Sequence, residues 1–177
     1  MDAFVTPVGW DRVIMHGMTR QRVRIPTSKD FLAVANAGDD LAVVVRGHVV
    51  CEALLLHIIL AKCRPGLTFD TLNLNEKVDV AIALDALSYE DRAPLQHLSA
   101  LRNRFAHDMD SRLSREDAAR LRSSFPPQLR GLHDSFLERS PQRPLTPRTE
   151  MSSCLVVMQV WLNAQLVKAM ASRVDAT

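Results

Sequence analysis

A chain of 177 residues, 47% hydrophobic and 24% charged, has the length and apolar content for one domain with a proper core. Two comfortable domains and a wholly disordered chain are both excluded by the same figures. The formal net charge is only +2, yet residues 102–148 hold ten arginines against six acids, which means either mild phosphate affinity or Arg used in place of Lys.

In chain order, residues 1–27 carry Pro7, Gly9, Gly17 and Pro26 and read as an arm, with a candidate hairpin around "VIMHGMTRQRVRI" where apolar and basic residues partly alternate. The N-terminus lacks the basic-then-apolar layout of a signal peptide. In "TSKD", Thr27 and Asp30 form a capping pattern that opens a short helix, and Gly38 interrupts it. Asp39 or Asp40 can cap the next helix, from Leu41 to about Lys62, which is apolar on nearly all sides and belongs at the centre of a bundle.

Within that segment Glu52 and His57 interrupt "VVCEALLLHIILA", so no apolar run is expected to reach membrane-spanning length, and the expected location is cytoplasmic. Cys51, Cys63 and Cys154 are odd in number and at no metal-like spacing, so they read as reduced packing residues. His48, Cys51, Glu52 and His57 invite a metal reading, but no second cluster at ligand spacing accompanies them, and no metal or other cofactor is expected. A glutamate caught on a buried helix more plainly needs a cationic partner, and an arginine of the helix discussed below, Arg102 or Arg104, is the expected one.

Pro65 and Gly66 end this helix. The segment "NLNEKVDVAIALDAL" follows, with Val80, Leu84 and Leu87 at helical spacing, and Ser88 and Asp91 then mark a new start in which Pro94 falls in the first turn. Further on, "SRED" around Ser114 caps a short helix, Pro126 and Pro127 break it, and Gln128 to Arg139 form another. "SPQRPLTPR" is a linker by composition. Thr146 and Pro147 set up a long terminal helix with Met151, Leu155, Met158, Leu162 and Leu166 in one stripe. No strand pattern and no internal repeat occur in the body. The expected architecture is an all-α bundle over 28–177, preceded by the N-terminal arm and ending in a long C-terminal helix.

The helix that begins near Asp91 ends in "LRNRFAHD". Leu95, Leu98, Leu101 and Phe105 share one face, whereas Asn103 and His107 lie about 140° and 180° round from Leu98, with Gln96 and Ala100. The polar pair therefore points away from its own core, and its i, i+4 spacing allows the amide to bond the imidazole. Arg104 and Asp108 have the spacing of an ordinary surface pair, and a lone histidine near a helix C-terminus commonly does no more than complement the dipole.

The string resembles the R-N-x-x-x-H signature of the HEPN superfamily, with Arg102, Asn103 and His107 at the signature positions. "RGHVVCEALLLHIIL" is similar to that superfamily's glutamate-bearing helix. "NEKVDVAIALDALSYEDRAPLQHLSALRNRFAHD" is similar to the helix pair leading into the motif in the mannitol-repressor-like branch. The likeness covers about residues 30–125. It implies an antiparallel helical bundle that forms a homodimer with its two motif helices facing across a cleft. It also implies metal-independent cleavage of RNA, contacted mainly through phosphates, to 2′,3′-cyclic phosphate and 5′-hydroxyl ends. His107 would transfer a proton, Arg102 would hold the phosphate, and Asn103 would orient one or the other. Glu52 and Arg104 would support them.

A toxin or defence role with a protein antitoxin or regulator as partner fits that resemblance. Members paired with nucleotidyltransferase antitoxins carry a tyrosine two positions after the histidine, where this chain has Met109, and its single tyrosine is Tyr89. The alternative within the family is a non-catalytic, mannitol-repressor-like regulatory or protein-interaction module. A third reading is a plain helical dimer stabilised by the motif. With six glycines there is no Gly-x-Ser-x-Gly turn or phosphate loop, and the few aromatics lie mostly in apolar contexts, so neither nucleophilic catalysis nor base stacking is expected.

Overall fold

The structure, a computed structural model, describes residues 24–36, 38–108, 110–139 and 146–174. Most of the expected arm and its hairpin, Met109, and residues 140–145 of the Pro-rich linker lie outside the described residues. Among the described residues the chain is all-helical and contains no strand. Seven α-helices run in order: α1 (Ser28–Ala35), α2 (Asp40–Lys62), α3 (Leu74–Ala83), α4 (Arg92–His107), α5 (Arg115–Ser123), α6 (Pro127–Arg139) and α7 (Pro147–Val174).

Local chemistry sets the helix starts. Asp39 caps α2 by accepting from the Ala42 amide at 2.7 Å. Asn73 and Glu76 form a reciprocal capping box at α3, and Ser114 and Asp117 form another at α5. Asp91 stands at the N-cap of α4, but its carboxylate bonds the amide and hydroxyl of Ser88 at 2.7 and 2.8 Å and so closes the preceding 3-10 turn, Tyr89–Asp91. The helix expected to continue through Leu84 and Leu87 stops at Ala83. Asp85 turns to a φ of 52°, and the Ala86 and Leu87 amides fold back onto the Ala81 carbonyl. The buried face of α3 is accordingly Leu74, Lys77, Val78 and Ala81 rather than the Val80 stripe.

The core lies between α2 and α7, with the shorter helices laid around them. The expected stripe of α7, from Met151 to Leu166, is buried. An antiparallel order does not extend to these two helices, which run in the same sense. Near their N-termini Arg148 donates from Nε to Asp40 Oδ1 at 2.7 Å, and one to two turns further Gly47 faces Leu155. The intervening helices α3 to α6 provide the return path that a same-sense pair needs. A Cβ on Gly47 would sit 2.7 Å from Leu155 Cδ1, so any larger residue there would oblige the Leu155 side chain to shift.

The expectation that no segment has membrane-spanning length is corrected. Both α2 and α7 are long and apolar enough by length and composition, since two polar interruptions are diluted over a 23-residue helix. Much of that apolar surface is spent inside the bundle: 67% of the most apolar window of α2 and 50% of that of α7 are buried.

Candidate functional site

The two faces of the motif helix have different surroundings. Leu95, Leu98 and Phe105 of α4 are buried, and Gln96, Ala100, Asn103 and His107 are exposed, so the polar face expected from the spacing is solvent-facing. Arg102 and Asn103 are adjacent and also joined, Arg102 Nη1 donating to Asn103 Oδ1 at 3.2 Å. The expected amide-to-imidazole bond from Asn103 to His107 is absent among the described residues. Arg102 holds the amide oxygen, and His107 ends α4 as an exposed side chain.

Arg102 and Asn103 form one wall of a depression of about 280 Å³ between α2, α3 and α4. The other walls are His48 and Glu52 from α2, Asn73, Leu74 and Asn75 from the start of α3, and Ser99 from α4. His107 does not line it. Within a single chain, therefore, the three signature residues do not converge, while Arg102, Asn103 and Glu52 do.

The Glu52 carboxylate links the walls, and its cationic partner is neither of the expected arginines. Lys77, 3% exposed on the inner face of α3, donates from Nζ to Glu52 Oε1 at 2.7 Å and also to the Leu72 carbonyl. The other oxygen, Oε2, lies 3.7 Å from Nδ1 of His48, one turn earlier on α2. Burial lowers the pKa of His48 from its ordinary value. The Glu52 charge works against that shift, and Arg102 and Lys77 add to it. The floor of the depression is thus a neutral imidazole beside a carboxylate, and the rim carries a guanidinium and amides.

Arg104 faces elsewhere. Its guanidinium grips Asp117 of α5 at 2.9 and 2.8 Å, in place of the expected pair with Asp108. Asp108 instead accepts from the Asp110 amide and the Ser111 hydroxyl, shaping the turn that leaves α4. Arg104 ties the C-terminal end of the motif helix to α5. Burial raises the pKa of Asp117, but the Arg104 bond and the Ser114 amide and hydroxyl outweigh it and hold the carboxyl below the usual range. A depressed folded-state pKa contributes stability above the unfolded pKa of about 4, and that stability is lost as pH falls through the folded value. Asp117→Asn is therefore expected to cost about 2 kcal/mol at neutral pH. The gap from the parent in denaturant melts should close as the buffer is taken below about pH 4; a gap independent of pH would contradict the assignment.

Composition and spacing alone do not reveal Lys77 or Ser99 as parts of this site. Asn73 carries a signal that they lack, the N-x-x-E capping pattern ahead of an apolar run. A second polar cluster has no signal in the spacing of its residues. Buried His133 meets Ser153 Oγ at 3.1 Å and Cys154 Sγ at 3.6 Å beside a cavity of about 400 Å³. Burial pushes the Cys154 thiol up to about 12, and Cys51 likewise, so both are protonated packing groups rather than nucleophiles. Among the described residues no three His, Cys, Asp or Glu side chains gather in a metal-binding arrangement. Comparison with protein-family models, with curated proteins and with solved structures gave no match.

Proposed function

We propose that the protein is a HEPN-like, metal-independent endoribonuclease of the cytoplasm, acting as a homodimer in a toxin or defence role under the control of a partner protein. The observation that carries this reading is the joined Arg102–Asn103 pair on the wall of a water-accessible depression whose floor is the imidazole and carboxylate of His48 and Glu52. A fork of guanidinium donors suits the charge that collects on a phosphodiester during cleavage. Nearby amides suit its oxygens, and the few exposed aromatics among the described residues suit contact through phosphates rather than bases.

The second chain has a chemical purpose. His107 lies outside its own depression and on the exposed face that also carries Gln96, Ala100 and Asn103. Pairing of two α4 helices through that face brings the imidazole of one chain towards the guanidinium of the other. The same position of His107 favours, as the alternative, the non-catalytic module resembling mannitol repressors, in which the groove binds an anionic ligand or a protein.

The deciding experiment incubates purified protein with RNA in excess chelator. The parent is expected to leave 2′,3′-cyclic phosphate ends, and His107→Ala to lower the rate by about 100-fold. An inactive parent would sink the ribonuclease reading, and equal cleavage by both proteins would mark a contaminant.

A further inference from the structure

Resting on the ribonuclease reading, we infer that His48 on α2 is the general base of the reaction, taking the proton of the ribose 2′-OH whose neighbouring phosphate is held by Arg102 and Asn103. In-line cleavage of RNA needs two proton transfers. The 2′ oxygen gives up its proton as it bonds to phosphorus, and the 5′ oxygen gains one as its bond to phosphorus breaks. His107, brought from the second chain of the proposed dimer, serves the leaving oxygen. The attacking oxygen needs a neutral base close to the bound phosphate, and the imidazole lining the same depression as Arg102 and Asn103 is that of His48.

Its surroundings suit the task. The Glu52 carboxylate faces Nδ1 at 3.7 Å and favours the tautomer with its proton there, which leaves the lone pair of Nε2 to accept. Glu52 is itself fixed by Lys77 at 2.7 Å, so the orienting group has little freedom. The charged groups that bear on His48 are Glu52 from α2, Lys77 from α3 and Arg102 from α4. Burial dominates their sum and keeps the ring neutral at ordinary pH, as a base requires. Glu52 is a positioning residue here and touches no reacting atom.

The test is a pH–rate profile for cleavage of a single-stranded RNA oligonucleotide by the full chain, with thermal melts alongside. His48→Gln is expected to lose about 100-fold in kcat/KM and to abolish the acidic limb of the profile. Lys77→Met removes a cation that holds the imidazole pKa down, so its acidic limb should move to higher pH, a change that a merely structural role for His48 would not produce. This second variant decides the matter if His48→Gln melts below the assay temperature. Cleavage by His48→Gln within threefold of the parent with the same acidic limb, or an unmoved limb in Lys77→Met, would overturn the inference and leave the ribonuclease reading standing. A parent that cleaves no RNA ends both.

Discussion

Arg102→Ala is expected to lower RNA cleavage by about 1,000-fold while leaving the melting temperature nearly unchanged. The kinetic figure is the usual cost of removing one preorganised group that stabilises transition-state charge, here on the phosphodiester of the proposed metal-independent reaction. The stability figure follows from the surroundings. Arg102 is exposed, and its hydrogen bond is a 3.2 Å contact with the neighbouring Asn103, so its removal uncovers no core and orphans no buried group. Arg102→Lys should fall between the two, because an ammonium keeps the charge but loses the planar fork. The contrast with Arg104 is diagnostic. Arg104 is the same residue type two positions on, but it is spent on Asp117, so its loss should appear mainly in the melt. Full cleavage by Arg102→Ala would remove the basis of the proposed mechanism.

What the sequence made legible was the part of the molecule governed by local spacing. The face of α4, the stripe of α7 and the start of α2 at Asp39 follow from helical periodicity and from capping chemistry, which act over four residues or fewer. Of the site, the wall of Arg102 and Asn103 and the helix-borne Glu52 could be read, but not the depression that joins them. Arg102 and Asn103 sit on an exposed face whatever surrounds them, whereas the rest of the depression depends on how α3 lies across α2. Lys77 shows the limit. In "NEKVDV" a lysine reads as a solvated residue, yet α3 turns it inward, where Glu52 of α2 meets it 25 positions away in the chain. The same dependence on tertiary packing gave Arg104 to α5 instead of Glu52, and gave α2 and α7 a common direction that no local signal records.

Glu52→Gln is the second large effect, and it falls on stability. Lys77 is 3% exposed and its ammonium has two partners, the Glu52 carboxylate and the Leu72 carbonyl. Neutralising Glu52 leaves a buried cation facing an amide. Breaking such a pair from one side costs about 3 kcal/mol, because the remaining charge keeps its desolvation penalty and loses its compensation. For a chain of this size that corresponds to a fall in Tm of about 8 °C. The double variant Glu52→Gln with Lys77→Met should regain most of the loss, since an uncharged pair of similar volume owes no such penalty. Two independent surface substitutions would instead add, so the recovery measures the coupling. If Glu52→Gln melts with the parent, the carboxylate is not what holds Lys77, and the orientation of His48 loses its support as well. If the single variant is destabilised and the double one recovers, the pair is structural cement between α2 and α3. The remaining activity of the double variant, set against that of Lys77→Met alone, then gives what the Glu52 charge contributes to the imidazole beside it.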